Sequence, residues 1–337
     1  MLWVERFIRT HRGCGGSIDQ DGASMSMERV TVLAPATIAN VGPGFDVFGI
    51  ALSQPYDLVT VERRQETGVR VGKVEGLGNH QVTSDPKRNT ATVAAAKVLE
   101  LARADFGLIV HIKKGVRPCS GMGSSGASAA GGAFAANLML ERPLSMDALL
   151  LCAAKGEEAS SGTLHADNVS PSLLGGFTII RSYEPLDVVK VTPPPNLGIV
   201  AALPDVMVPT KEARGILPKQ VDLKKMVFQV GHASSLAVAM VRGDLGLMAR
   251  SLRDEVIEPV RSPLVPHLQA AEQAALKAGA LASFLGGSGP CVASFFDKDK
   301  TDGKAIAEAI QAVYGRHDIG CAAWVTSWGD GCRRWQQ

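Results

Sequence analysis

Residues 121–126, Gly-Met-Gly-Ser-Ser-Gly, combine residue types that bind phosphate groups in proteins. Glycines let the backbone turn its amide groups towards an anion, and a helix that starts directly after the loop adds a positive partial charge. Ser124 and Ser125 could add hydroxyl groups for a phosphate or a metal ion. The segment lacks the ending of a Walker A loop and the residue order of a nucleophile elbow. It predicts a phosphate-binding loop, although a small-residue helix packed tightly on a sheet would have the same composition.

Two further turns carry candidate binding residues. Residues 286–290, Gly-Gly-Ser-Gly-Pro, lie between two β-rich runs. A second Gly-rich loop favours a binding site, because a small ligand needs to be enclosed on more than one side, but alone it also fits a hairpin. Asn40 and Asp46 lie within residues 39–46, whose Asn, Gly, Pro and Asp also fit an ordinary turn.

Single polar residues stand in small or apolar surroundings at Glu157, His165, Asp167, Asn168, Arg214 and Arg261. A carboxylate facing two serine hydroxyls would suit Mg²⁺, a hard ion that prefers oxygen ligands. The two arginines offer forked donors for a carboxylate or a phosphate. Each of the six positions also fits a cap, a turn or the surface. For His165 we expect a packed, hydrogen-bonded side chain, because it has no partner at metal-ligand spacing.

The elements that must position these residues alternate between strands and helices. Strands are expected near residues 30–34, 58–63, 108–112, 177–181, 197–203, 292–296 and 322–325. Helices are expected near residues 90–104, 124–140, 145–160, 222–242, 244–253 and 266–278. Pro35 is expected to end the first strand, and prolines 193–195 predict a domain boundary. The alternation favours an α/β or α+β fold over an all-α fold.

Composition excludes several classes of function. The chain has 337 residues, with 35 Lys+Arg against 33 Asp+Glu, and this balance argues against a dedicated nucleic-acid binder. Residues 119–140 carry no charge, but their Gly, Ser and Ala favour a loop entering a buried helix over a membrane span. Six cysteines without a CxxC pair predict free intracellular thiols. Residues 1–26 lack an apolar run of signal-peptide length and are expected to form a disordered extension.

Taken together, these segments resemble the GHMP kinase superfamily. The resemblance to the superfamily motifs is carried by residues 34–49, 118–128 and 285–290. The resemblance to its homoserine kinase family is carried by residues 156–171, 210–214 and 256–261. The six segments occur in family order, and the resemblance covers roughly residues 29–328. Met122, Gly126 and Cys291 depart from the residues that are commoner in these motifs.

The resemblance implies an α+β fold with two domains. Residues 27–192 would form an N-terminal ATP-binding domain like domain 2 of ribosomal protein S5, and residues 193–330 a ferredoxin-like domain. The implied activity is transfer of the γ-phosphoryl group of ATP to the side-chain hydroxyl of L-homoserine, in threonine biosynthesis. ATP would be the co-substrate and Mg²⁺ the metal ion. The resemblance also implies a cytoplasmic homodimer without nucleic-acid or membrane partners.

Carried over by position, the resemblance assigns an ATP site to Asn89, Pro118, Cys119, Ser120, Gly121, Met122, Gly123, Ser124, Ser125, Gly126, Ala127, Ser128, Gly286, Gly287, Ser288 and Gly289. Mg²⁺ would be held by Ser125 and Glu157. Homoserine would be surrounded by Asn40, Asp46, Asp167, Asn168, Arg214 and Arg261. The two aspartates suit its ammonium group and the two arginines its carboxylate, while Asn168 would orient the reacting hydroxyl.

Some superfamily members use an Asp–Lys pair as a base, and no such pair stands at a matching position here. We therefore expect catalysis by positioning and Mg²⁺, without a dedicated aspartate base. Two alternatives stay open. One is a kinase of the same superfamily for another small alcohol, such as mevalonate or shikimate, which lack an ammonium group. The other is a non-catalytic ligand sensor on the same fold.

Overall fold

The computed structural model describes residues 27–336, apart from the side chains of residues 160–161 and 210–211. The strands are β1 (Arg29–Ala39), β2 (Phe48–Arg64), β3 (Gly68–Gly76), β4 (Gly107–Lys114), β5 (Phe177–Tyr183), β6 (Leu186–Val191), β7 (Leu197–Pro204), β8 (Ala282–Leu285), β9 (Val292–Asp297), β10 (Cys321–Ser327) and β11 (Arg333–Arg334). The helices are α1 (Thr90–Ala102), α2 (Ser124–Leu138), α3 (Met146–Ser161), α4 (Val169–Leu174), α5 (Thr210–Gly215), α6 (Leu223–Arg242), α7 (Leu245–Ser251), α8 (Glu258–Arg261), α9 (Leu268–Lys277) and α10 (Gly303–Gly315).

The larger sheet has seven strands, with β11-β1-β2-β4-β3 in order and β5 and β6 attached through β2. Only the β3–β4 pair among these is parallel. Helices α1, α2 and α3 pack on the sheet and on one another around one hydrophobic cluster. Because α2 is built from Ala, Gly and Ser, it lies close to the sheet, with a Cβ at Gly131 meeting Val59. This close packing sets where the N-terminus of α2 emerges.

The smaller sheet has the order β10-β7-β9-β8 and is antiparallel throughout. Counted from β7, this is the 4-1-3-2 order of a ferredoxin-like domain, as expected. One face packs against α9 and α10. The other face joins residues of the larger sheet in a shared cluster that includes Ile38, Phe48, Leu197 and Phe284. The two sheets therefore meet across one core, and the loops at their junction are held in fixed relative positions.

Most expected elements are confirmed, and the first strand is the clear exception. β1 continues through Pro35, which pairs with Tyr56 before the register shifts between Pro35 and Thr37. The prediction that Pro35 ends the strand was wrong, because this irregularity accommodates the missing amide. Helix α10 and strand β3 were not predicted, nor was β11, which returns the end of the chain to β1.

Other expectations concern the ends and the cysteines. The expected extension, residues 1–26, lies outside the described residues, and so does Cys14. Cys119, Cys152, Cys291, Cys321 and Cys332 are free thiols, as expected. Within residues 27–336, no helix is both long and apolar enough to cross a membrane. The predicted boundary near residue 193 falls between β6 and β7 and stays a prediction.

Candidate active site

A cavity of about 290 Å³ opens at the junction of the two sheets. It is lined by Gln81, Val82, Thr83, Arg88, Asn89, Thr90, Ile112, Lys114, Pro118, Cys119, Ser120, Gly121, Gly123, Ser124, Ser125, Ser128, Glu157, Asn168, Gly287 and Ser288. We call residues 118–128 the phosphate loop and residues 286–289 the closing loop. The cavity thus joins both Gly-rich segments to the start of α2, which makes it suitable for a phosphorylated ligand.

The N-terminus of α2 faces this cavity without a side-chain cap. Its N-cap residue is Gly123, with a φ of +63° that favours glycine. A Cβ at this position would overlap the hydroxyl of Thr37 and the amide of Asn168. Because the helix begins without a capping side chain, its first amide groups and its positive partial charge are available to an anion.

Ser125 and Glu157 meet on one side of the cavity. Ser125 Oγ donates a hydrogen bond of 2.7 Å to Glu157 Oε1. Glu157 is 8% exposed, and burial raises the pKa of its carboxyl group, while the Ser125 hydroxyl and the charge of Lys114 lower it. The sequence-based pairing of these two residues therefore corresponds to a direct contact. A hydroxyl and a carboxylate together offer the oxygen ligands that Mg²⁺ prefers.

A buried ion pair between Asp57 and Lys114 lies beneath the start of the phosphate loop. Asp57 Oδ1 accepts the backbone amides of Gly115 and Val116, both at 3.0 Å. Lys114 Nζ donates to the carbonyl of Ser124 and to Ser128 Oγ, both at 2.9 Å. The Ser128 hydroxyl in turn donates to Asp57 Oδ2 at 3.0 Å.

This ion pair connects β2, β4, the loop that follows β4 and the first turns of α2. Both charged groups are almost completely buried, with exposed fractions of 0% for Asp57 and 3% for Lys114. Lys114 also lines the cavity, so the pair supports the floor of the site. Sequence reasoning missed both residues, because each resembles an ordinary charged residue in a strand.

A second group of charged residues lies beside the cavity. Arg214 Nη2 donates to both carboxylate oxygens of Asp46, at 3.1 and 2.9 Å, and lies 3.3 Å from His165 Nδ1. Ligand atoms of Asp46, His165 and Asp167 all lie within 4.8 Å of one another. Tyr183 donates its hydroxyl to the carbonyl of Asp46 at 2.8 Å and so fixes this turn.

The charge state of this group follows from its burial. Burial, together with the charges of Asp46 and Glu157, raises the pKa of Asp167 to about 7. Burial lowers the pKa of His165, as does the nearby Arg214 guanidinium. Ionised Asp167 is therefore costly in this site, and an incoming cationic group would reduce that cost.

The closing loop is attached to the larger sheet and to α8 by side chains. Asn40 Nδ2 and Arg261 Nη1 both donate to the carbonyl of Gly287, at 3.0 and 3.1 Å. Arg261 Nε also donates to the carbonyl of Ala213, and its guanidinium lies 5.2 Å from the ring of Phe45. In the described geometry these two residues hold Gly287 of the closing loop in place.

The expected site residues therefore divide into three sets. Those that line the cavity are Asn89, Pro118, Cys119, Ser120, Gly121, Gly123, Ser124, Ser125, Ser128, Glu157, Asn168, Gly287 and Ser288. Those beside it are Asn40, Asp46, Asp167, Arg214 and Arg261. Expected ATP residues outside the lining are Met122, Gly126, Ala127, Gly286 and Gly289, of which the Met122 and Ala127 side chains pack in hydrophobic clusters.

Two of the sequence-predicted residues also make local contacts that the sequence did not predict. Asn89 caps α1, since its Oδ1 accepts the amides of Ala91 and Thr92, so its acceptor already has partners. His165 is hydrogen-bonded, as expected, with Thr163 and Arg214 as partners, and it also lies 3.8 Å from Asp46 in the charged group. Its short spacing to Asp167 was the available signal for this placement.

Two family profiles match this chain. The profile of the GHMP kinases N terminal domain matches residues 89–176, and that of GHMP kinases C terminal matches residues 236–316. The first profile contains the phosphate loop, Glu157 and Asn168, and the second contains Arg261 and the closing loop.

Curated relatives and solved structures agree with these profiles. Homoserine kinase of Methanococcus vannielii is 40% identical over 301 residues, covering 88% of this chain and 98% of that protein. Homoserine kinase of Thermococcus gammatolerans is 43% identical over 279 residues, covering 82% of this chain and 91% of that protein. The crystal structure of homoserine kinase from Cytophaga hutchinsonii superposes with a TM-score of 0.89 at 36% identity, covering 94% of this chain and 100% of that chain. L. major mevalonate kinase in complex with R-mevalonate shares the fold, with a TM-score of 0.68 at 16% identity over 88% of this chain and 95% of that chain.

The ion pair under the phosphate loop yields a prediction about stability. Asp57→Asn should lower the free energy of unfolding by about 3–5 kcal/mol, because it leaves Lys114 charged and buried without its partner. Urea unfolding measures this. The matched control is Asp187→Asn in the exposed Arg181–Asp187 pair, for which a loss below about 1 kcal/mol is expected. Equal losses in the two variants would contradict a supporting role for the buried pair.

Proposed function

This chain belongs to the homoserine kinase family of the GHMP kinases, and from this premise we propose that it phosphorylates the side-chain hydroxyl of L-homoserine. The phosphoryl donor is ATP, and the products are O-phospho-L-homoserine and ADP. The observation that carries the proposal is the close approach of Asp46, His165 and Asp167 beside the Gly-rich cavity. A phosphate cavity alone would fit any kinase of this fold, whereas paired carboxylates fit a substrate with an ammonium group.

The residues around the cavity have separate tasks in this reaction. The backbone amides of the phosphate loop and the start of α2 bind the phosphates of ATP. Ser125 and Glu157 would hold Mg²⁺, and their direct contact within a buried site supports that pairing. A bound Mg²⁺ would neutralise part of the charge on the transferring phosphoryl group. The Asp57–Lys114 pair holds the loop that carries these groups in a fixed position against the sheet.

The acceptor side of the reaction depends on orientation. Asn168 accepts the Thr37 hydroxyl at its Oδ1, with a distance of 2.8 Å, which leaves its amide nitrogen to meet the reacting hydroxyl. Asp46 and Asp167 bind the substrate ammonium group, and Arg214 and Arg261 its carboxylate. On binding, the ammonium and carboxylate groups of homoserine would thereby replace the contact between Arg214 and Asp46. Phosphoryl transfer is dominated by positioning and charge stabilisation, so we propose no dedicated aspartate base.

The pathway, location, partners and oligomeric state are proposed from the family. The product would enter threonine biosynthesis in the cytoplasm, without nucleic-acid or membrane partners. We propose a homodimer, for which α6 offers an exposed apolar stripe that includes Leu223, Val227, Val230 and Val241. An apolar stripe of this kind on a helix marks a contact surface, and a second copy of the chain would cover it. The domain division near residue 193 is likewise proposed from the family.

The substrate assignment is tested by release of ADP in the presence of ATP and Mg²⁺. L-Homoserine, mevalonate, shikimate and L-threonine are offered in parallel, and release is expected with L-homoserine. Release with mevalonate or shikimate would preserve the phosphate site and overturn the acceptor. Ligand-induced stabilisation without ADP release would favour the sensor alternative.

The proposed metal ligands are tested by Glu157→Gln. The variant should lower kcat by about tenfold to a hundredfold and raise the Mg²⁺ concentration needed for half-maximal rate, because a neutral amide is a poorer ligand. The control is Glu158→Gln, which changes the neighbouring exposed residue of α3 and its ion pair with Lys155. A Glu157→Gln enzyme with an unchanged Mg²⁺ requirement would remove this residue from the metal site.

The raised pKa of Asp167 predicts the pH dependence of homoserine binding. Below a pKa of about 7 the carboxyl group is protonated and loses its attraction for the ammonium group. KM for homoserine should therefore rise by about tenfold in total as the pH falls from about 8 to about 6, mostly below pH 7, while KM for ATP changes less.

Asp167→Asn supplies the control for this dependence. It should raise KM for homoserine by about tenfold or more and make it independent of pH over this interval. A variant with a normal KM and a collapsed kcat would instead assign Asp167 to proton transfer.

A further inference from the structure

Helix α8 makes one contact with the end of β8 and one with the closing loop that follows it. Glu258 Oε2 accepts the backbone amide of Leu285 at 2.7 Å. One turn later, Arg261 Nη1 donates to the carbonyl of Gly287 at 3.1 Å. Glu258 does not line the cavity, so any effect on the reaction must pass through the closing loop.

The position of β8 explains why a hydrogen-bond acceptor is needed here. β8 is the edge strand of the smaller sheet, so its outward-facing backbone groups lack a neighbouring strand. Leu285 is the last residue of this strand and directly precedes Gly286. The Glu258 carboxylate therefore supplies the acceptor that a further strand would otherwise provide, at the point where the strand becomes the loop.

The closing loop in turn touches the phosphate loop through backbone atoms. A Cβ built on Gly121 would lie 2.6 Å from the carbonyl oxygen of Gly286 and 2.9 Å from that of Gly289. A Cβ on Gly287 would lie 2.7 Å from the carbonyl oxygen of Gly121. With glycines on both sides the loops are in direct contact, so a displacement of the closing loop reaches the walls of the cavity.

Helix α8 is itself anchored from its first turn. Asp254 accepts the amides of Val256, Ile257 and Glu258 at 2.8 to 3.0 Å, and it also accepts Gln229 Nε2 from α6. The contact between α8 and Leu285 is therefore made from a fixed support.

The Glu258 carboxyl group lies in a buried and acidic environment. Burial, together with the charge of Asp254, raises its pKa to about 7 against the opposing effect of the hydrogen bond from Leu285. Burial, together with the charge of Glu258, raises the pKa of Glu272 on α9 to about 8. Glu272 Oε1 is buried without a hydrogen-bond partner among residues 27–336. Of these two carboxyl groups, it is Glu258 that accepts a hydrogen bond from the strand that enters the closing loop.

We propose that Glu258 is a positioning residue for ATP, which fixes the closing loop against the phosphate loop through the amide of Leu285. This inference rests on the proposed function, because it assigns the cavity to ATP. Removing the acceptor would let the start of the closing loop move away from Gly121 and widen the cavity.

The test measures the Kd of a non-hydrolysable ATP analogue with Mg²⁺, alongside KM and kcat with homoserine. Glu258→Ala should raise the Kd and KM for the nucleotide by about tenfold, with a smaller change in KM for homoserine. Glu258→Gln retains an acceptor oxygen and should bind the nucleotide nearly as the unaltered protein does. Glu258→Asp keeps the charge but withdraws the acceptor by one carbon–carbon bond, so it should behave like Glu258→Ala. The control is Glu272→Gln, which alters the adjacent carboxyl group and leaves the Leu285 contact in place.

The outcomes separate this inference from the proposed function. If the unaltered protein binds no ATP analogue, the assignment of the cavity fails and the inference fails with it. If the unaltered protein binds and Glu258→Ala binds equally well, the inference alone is overturned. A variant with reduced stability and normal nucleotide affinity would give Glu258 a purely structural role. Should Glu258→Ala fail to fold, the comparison of Glu258→Gln with Glu258→Asp decides, since equal affinities in those two variants would also overturn it.

Discussion

The buried ion pair between Asp57 and Lys114 is the interaction on which the geometry of the site depends. Its cost in desolvation is offset only if every remaining donor and acceptor has a partner, and here backbone amides, a backbone carbonyl and the Ser128 hydroxyl fill those roles. Because those partners belong to the loop after β4 and to α2, the same contacts that satisfy the charges also fix the phosphate loop. A hydrophobic pair at these positions would fill the space without specifying where the loop begins.

From this anchor the two halves of the site are joined through backbone contacts between glycines. Gly121 of the phosphate loop touches Gly286 and Gly289 of the closing loop, and Gly287 also receives donors from Asn40 and Arg261. The residues expected to bind the acceptor therefore contact the loops expected to bind ATP. Phosphoryl transfer needs both substrates held in line, and these shared loop contacts would fix the two substrates relative to each other.

The amino-acid sequence predicted this arrangement where a local pattern carried it. The Gly-Ser run before an Ala-rich segment predicted the phosphate loop and α2, and the resemblance paired Ser125 with Glu157 across 32 residues. Asp57 and Lys114 stand 57 residues apart in separate strands, and neither has a neighbour that indicates a buried partner. The extension of β1 beyond Pro35 depends on a register shift set by β2. What was missed is the part decided by contacts between distant segments, because propensity and spacing describe only local structure.

Selection among alcohol substrates must lie in the loops, because the fold is common to kinases with different acceptors. The charged group around Asp46 is made from a turn after β1, a loop before α4 and helix α5, each of which can change without disturbing either sheet. Asp167 lies close to Asp46, and burial together with the repulsion from Asp46 raises the pKa of Asp167. A neutral alcohol would leave that repulsion in place, whereas an ammonium group relieves it on binding. On the proposal that this group binds the acceptor, the repulsion around Asp167 favours an amino acid, and specificity would then originate in these loops rather than in the two sheets.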